Sequence, residues 1–166
     1  MVRIEEIIKE RILVLDGAMG TMVGAVMGKV GNTDELNLTR PDIIAEIHRK
    51  YLDAGADIIT TNTFSSQRIS QADYHLEDSA RQMALEGARI ARRMADEFST
   101  EEKPRFVAGS IGPTNKTLSM SPDVSNPAAR EITYDELLEA YMEQADGLVE
   151  GAHLKKEINS YESHIA

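Results

Sequence analysis

Thr39-Arg40-Pro41-Asp42-Ile43-Ile44-Ala45-Glu46-Ile47-His48-Arg49-Lys50-Tyr51-Leu52-Asp53-Ala54-Gly55-Ala56-Asp57-Ile58-Ile59-Thr60-Thr61-Asn62-Thr63-Phe64 carries one helix and one strand without interruption. Ile43, Ile44, Ile47, Tyr51 and Leu52 recur at the spacing of one helical face. Pro41 stands in the first turn, Thr39 and Asp42 offer a capping box, and Gly55 sits at the stop. Charged Arg49 and Lys50 beside His48 place that histidine on the solvated face. Asp57 to Phe64 then reads as a strand that turns polar at its C-terminal end.

The same unit recurs on both sides. Upstream, Ile12-Leu13-Val14-Leu15 is short and rich in branched residues and ends at Asp16-Gly17, as a buried parallel strand does. Downstream, Ala80, Met83, Ala84, Gly87, Ala88, Ala91, Met94 and Ala95 form a narrow stripe of small and apolar residues on a long helix, with Arg89, Arg92 and Arg93 on its solvated face. Glu101-Glu102-Lys103-Pro104 breaks that helix, and Arg105 to Ser110 forms a third strand running into Gly112-Pro113. Thr133 with Glu136 caps a last helix carrying Leu137, Leu138, Tyr141, Ala145 and Leu148, which Gly151 closes. Strand and helix alternate, so the fold class is α/β, with parallel strands joined by helical crossovers. Strand starts about 45 residues apart leave room for sizeable loops after each strand.

A chain of 166 residues with 42% hydrophobic content makes one domain. Its net charge of -10 and lack of a basic stripe disfavour nucleic acid. No apolar run reaches membrane-spanning length and the N-terminus lacks a signal-peptide core, so a cytoplasmic protein is expected, with no membrane partner. The absence of cysteine removes disulfides, thiolate catalysis and sulfur-bound metal from this chain acting alone. His48, His75, His153 and His164 are scattered without a close helical pair, so no metal ligand is assigned.

Three polar clusters, Asp16 to Thr21, Thr60 to Phe64 and Ser110 to Asn115, follow the C-terminal ends of the three strands. Parallel strands bring such clusters to one rim, the usual binding face of an α/β sheet or barrel. The rim suits a small polar ligand. Asp16 beside Gly17 and Gly20 can receive an ammonium group while backbone N–H groups receive a carboxylate. It reads equally as a cap on the turn, with Gly17 present for its dihedral freedom. Threonines 60, 61 and 63 can bond a ligand but are also ordinary strand residues, which leaves Asn62 the best candidate of that cluster; Ser110 and Asn115 stand similarly. Gly17-Ala18-Met19-Gly20 matches neither the dinucleotide-binding nor the P-loop pattern. Gly20, Gly24 and Gly28, four apart, read as packing or loop.

Leu15 to Met22, Glu35 to Pro41, Gly55 to Phe64 and Gly109 to Asn115, in that order, resemble the N-terminal module of cobalamin-dependent methionine synthase. Ser121-Pro122-Asp123 and Leu148 to Gly151 are also similar. The resemblance implies part of a TIM (β/α)8 barrel, about three strand-helix units over residues 1–151, followed by a divergent tail at 152–166. It implies homocysteine as substrate, zinc on its sulfur, and methyl transfer from methylcobalamin giving methionine. Companion modules of the family bind cobalamin and methyltetrahydrofolate. Asp16, Gly17, Asn62, Thr63 and Ser110 become the substrate-binding residues, Asp16 toward the amino group. The family's zinc cysteines have no counterpart here, and a barrel of this type takes roughly 250 residues. The expectation is therefore a truncated or frame-shifted N-terminal piece, inactive alone. The alternative is a non-catalytic half-barrel that binds a small molecule, pairs with a partner chain or self-associates.

Overall fold

The computed structural model describes residues 3–153. In chain order it runs α1 (Ile4–Ile7), α2 (Met19–Met27), α3 (Leu36–Thr39), α4 (Pro41–Asp53), β1 (Ile58–Thr60), α5 (Arg68–Gln71), two 3-10 turns, α6 (Ala80–Phe98), β2 (Phe106–Ala108) and α7 (Tyr134–His153). The two strands pair in parallel, Ile58 against Phe106, Ile59 against Val107 and Thr60 against Ala108. The class is α/β, as expected.

The first expected strand, Ile12 to Leu15, is reduced to one parallel bridge, Leu15 with Ile58. Val14 O still accepts from Ile58 N–H, and Asp16 N–H donates to Ile58 O, so the segment lies alongside β1 in the expected direction. It is not buried: Ile12 is 89% exposed and Leu15 56%. A parallel strand is buried when helices or strands cover both of its faces, and the exposure of Ile12, Val14 and Leu15 shows that the described residues leave this segment uncovered.

Helix α6 is the centre of the packing. Its Ile90 joins Val23, Leu36, Ile43, Ile44 and Ile47 in one cluster. Its Ala91, Met94 and Ala95 join Leu52 and Ile59 in a second, and Ala84 and Ala88 meet Leu148 in a third. Each fully buried leucine or isoleucine removes apolar area worth about 1.5–3 kcal/mol. The small stripe on α6 lets α7 approach so closely that a Cβ on Gly147 would sit 2.7 Å from Arg81 O, and one on Gly151 would strike Leu85 O. Gly151 therefore does not close α7. It is a packing residue inside a helix that continues to His153. The rest of the expected tail, from Leu154 onward, lies outside the described residues.

Two further expectations change. His48 is fully buried rather than solvated. It stands four residues from Ile44 and from Leu52, both buried, and the helical turn of 3.6 residues puts all three on the core side while Arg49 and Lys50 face out. Thr39 does not cap α4; its hydroxyl donates to Glu35 O just before α3, and Arg40 precedes α4 with no side-chain cap. Pro41, lacking an N–H, leaves one fewer donor to satisfy there. Gly55 ends the helix as expected, at φ +107°. At α7 the capping box forms: Thr133 N–H donates to Glu136 Oε2 at 2.8 Å and Glu136 N–H to Thr133 Oγ1 at 3.2 Å.

Opposite the polar rim, Asp57 anchors the first segment. It pairs with Arg11 at 2.9 Å and accepts from Val14 N–H at 2.9 Å. Burial opposes its charged form, yet these two bonds and the nearby charges of Arg11 and Lys103 hold its carboxyl below the usual value. Arg89 and Arg92 pair with Glu86 and Asp96 along α6, the balanced face expected of them. No described helix is long and apolar enough to cross a membrane.

Candidate functional site

The parallel register carries the three polar clusters to one rim. Where the first segment leaves β1, both oxygens of Asp16 turn back onto Thr60: Thr60 N–H donates to Oδ2 at 2.8 Å and Thr60 Oγ1–H to Oδ1 at 2.8 Å. Asp16 is half-buried, and burial pushes its carboxyl above the ordinary value against the opposing pull of the two Thr60 bonds. Gly17 is exposed next to it, and a Cβ there would lie 2.9 Å from Tyr51 Oη. That hydroxyl donates to Ala18 O at 3.3 Å, so α4 fixes the turn that carries Asp16.

The second and third clusters are stitched together. Ser110 N–H donates to Thr61 Oγ1 at 2.9 Å, Thr61 and Thr63 share a hydroxyl contact at 2.6 Å, and Thr63 Oγ1 donates to Ser110 O at 2.8 Å. Gly112 N–H donates to Phe64 O at 2.9 Å, an approach that leaves no room for a Cβ on Gly112. From α7, Gln144 Nε2 donates to Thr63 O at 2.6 Å and Tyr141 Oη to Gly112 O at 3.0 Å. Asn62 Nδ2 donates to Thr33 O at 2.8 Å and to Asn37 Oδ1 at 3.1 Å.

The five expected site residues thus fall into two groups. Asp16 is half-buried beside exposed Gly17, and half-buried Ser110 lies across β1 from them at the tip of β2. Asn62 and Thr63 are buried, and the bonds just described occupy the Asn62 amide N–H and the Thr63 hydroxyl in holding loops together.

Sequence reading missed Gln144, Asn37 and Asp34. Asp34 is buried and accepts from Ser65 N–H and Ser66 Oγ, both at 2.8 Å; burial raises its carboxyl above the ordinary value. It borders a polar hollow of about 230 Å³ shared by Asn32, Thr33, Ser65, Asp73 and Asn115. The signal for Gln144 was available, since it lies three residues after Tyr141 and four before Leu148 on the inward face of α7. Asp34 had no such signal, because a loop has no period from which to read a buried side.

No three histidine, cysteine, aspartate or glutamate side chains gather as metal ligands among the described residues. The rim offers, in Asp16, an anionic acceptor beside a glycine, which suits an ammonium group. The family model for homocysteine S-methyltransferase matches residues 13–154. The oxidized form of the homocysteine methyltransferase MmuM from Escherichia coli is similar in fold at TM-score 0.70 and 19% identity, over 89% of this chain and 52% of that one. The metallated form gives TM-score 0.70 at 18% identity, over 88% and 53%, and the apo form 0.58 at 21%, over 87% and 48%. This chain therefore spans about half the length of the solved structures it matches. With the family model covering nearly all of the described residues, this chain belongs to the homocysteine S-methyltransferase family.

Proposed function

We propose that this chain supplies the amino-acid-binding wall of a homocysteine methyltransferase of the cobalamin-dependent methionine synthase type, built as about three strand-helix units of a (β/α)8 barrel over residues 1–151. The observation that carries the reading is the Asp16 carboxylate held half-buried at the rim beside exposed Gly17. In this reading Asp16 takes the ammonium group of homocysteine, backbone N–H groups near Gly17 and the Ser110 strand tip take its carboxylate, and Asn62 and Thr63 keep the loops in place. A charge-assisted bond of this kind orients the amino acid so that its sulfur side chain points away from the rim's anionic end.

Methylation needs the sulfur as a thiolate, because a free thiol is largely protonated at neutral pH. Zinc supplies that activation in the family. The sequence holds no cysteine, and no metal-ligand group forms among the described residues, so these residues do not fit a thiolate zinc site. The proposal therefore assigns binding, not sulfur activation, to this chain, which alone leaves homocysteine unmethylated. Methylcobalamin and methyltetrahydrofolate, held by companion modules, belong to the same reading, as does a cytoplasmic location. Calorimetric titration with homocysteine tests it: Asp16→Asn should weaken binding about tenfold or more, the value of one hydrogen bond to a charged group. Equal affinity of the two proteins would sink the assignment, and homocysteine-dependent zinc uptake would overturn the statement about the metal.

A second reading is favoured by the apolar residues left outside. Ile12 and Leu15 beside β1, with Leu138, Met142 and Val149 on α7, are exposed. Such a surface suits a non-catalytic half-barrel covered by a partner chain or a second copy. Sedimentation analysis separates the readings, since a lone monomer at all concentrations rejects self-association.

A further inference from the structure

We infer that Thr60 is a positioning residue, which holds both oxygens of the Asp16 carboxylate and so presents it as a fixed acceptor to an incoming ammonium group; this rests on the amino-acid-binding role proposed for Asp16. Thr60 is not a ligand in its own right on this view. Its two donors, the backbone N–H and the hydroxyl, each take one oxygen of the Asp16 carboxylate at 2.8 Å. A carboxylate fixed at both oxygens cannot rotate about its terminal torsion, which is otherwise soft. One lone pair on each oxygen accepts from Thr60, the Asp16 backbone N–H also acts on the carboxylate, and the acceptor capacity that remains can serve a ligand.

The electrostatics point the same way. Half-burial at the rim works against a charged Asp16. Asp16 takes part in no salt bridge within 4 Å among the described residues, so hydrogen bonds to the charged form are what oppose the burial. The backbone bond would survive almost any substitution at residue 60, because the parallel register of Thr60 with Ala108 fixes that N–H. The hydroxyl bond depends on the side chain alone. Ile58, two residues earlier on the same face of the strand, shows that a branched apolar group is tolerated in this row, so valine, nearly isosteric with threonine, isolates the hydroxyl.

The test compares the wild type with Thr60→Val and Thr60→Ser. Carbon-13 NMR of the Asp16 carboxyl reads its titration directly, and calorimetric titration with homocysteine from pH 4 to 8 reads its use. Thr60→Val should move the Asp16 titration upward, weaken homocysteine about tenfold at neutral pH, and shift the acid loss of binding to higher pH. Thr60→Ser should restore all three. A merely structural threonine would change melting temperature while leaving the Asp16 titration where it was, and that result overturns the proposal. The two assignments fail separately. If the carboxyl titration responds to residue 60 while the desamino analogue 4-mercaptobutyrate binds as well as homocysteine, Thr60 positions Asp16 but Asp16 does not receive the ammonium.

Discussion

Lowering the pH should unfold this protein partly through one residue, His48. Its side chain is fully buried, neither ring nitrogen has a hydrogen-bond partner, and burial lowers its pKa from 6.5 to about 4. Above pH 6.5 the ring is neutral in both the folded and unfolded chains and costs nothing. Between 6.5 and about 4 the unfolded chain binds a proton that the folded chain refuses, so stability falls as pH falls; below about 4 the loss is complete. A depression of that size corresponds to about 3 kcal/mol, at 1.36 kcal/mol for each pKa unit, a large share of the 5–15 kcal/mol typical of a domain. Asp16 and Asp34 act in the opposite sense. Burial raises both carboxyls, so their contribution is present at low pH and is lost as pH rises through their folded values, which flattens the wild-type curve near its acid end. A paired comparison removes that overlap. Urea unfolding of the wild type and His48→Leu, followed by circular dichroism from pH 7.5 to 4, should show the wild type losing about 3 kcal/mol more than the variant. The variant should also equal or exceed the wild type at pH 7.5, because leucine leaves no buried nitrogen without a partner. Parallel stability curves, or an imidazole that titrates near 6.5 in the folded protein, would refute the reasoning.

Other consequences concern α7. Gly151→Ala places a methyl group against Leu85 O and 2.9 Å from Ala88 Cβ, so it should destabilise by about 1–3 kcal/mol despite the better helix propensity of alanine. Calorimetry would show a lower melting temperature, and an unchanged or raised one would mean that the α6 and α7 contact is looser than described. Thr133→Ala removes one half of the capping box and should cost about 1 kcal/mol. Hydrogen exchange should speed up in the first turn of α7 and not near Gly151; uniform acceleration along the helix would point to a different cause.

Elements whose meaning is local were legible without coordinates. The stripe from Ala80 to Ala95, the stop at Gly55, and the Thr133 and Glu136 cap each follow from neighbours within a turn or two, and each appears where the sequence places it. The parallel pairing followed from alternation, and with it the meeting of the three polar clusters. Errors arose where one local cue competed with a longer period. Arg49 and Lys50 suggested that His48 was solvated, although Ile44 and Leu52 on either side already marked its face as buried. Gly151 looked like a stop because glycine often is one, and the approach of Leu85 O on another helix gives it a different reason to be there.

The sequence by itself determined the α/β class, the family, and the rim to which the three polar clusters come, because these depend on periodicity, turn chemistry and ordered motifs. Only the tertiary structure decided which polar residues at that rim are free and which are spent. Asn62 and Thr63 carry the same donors in either role, and it is the packing of α3 and the Ser110 strand tip that takes the Asn62 amide N–H and the Thr63 hydroxyl. The fate of a hydrogen-bonding side chain depends on what lies across from it in space, and residues 25 to 47 positions apart along the chain supply such partners to Asn62 and Thr63.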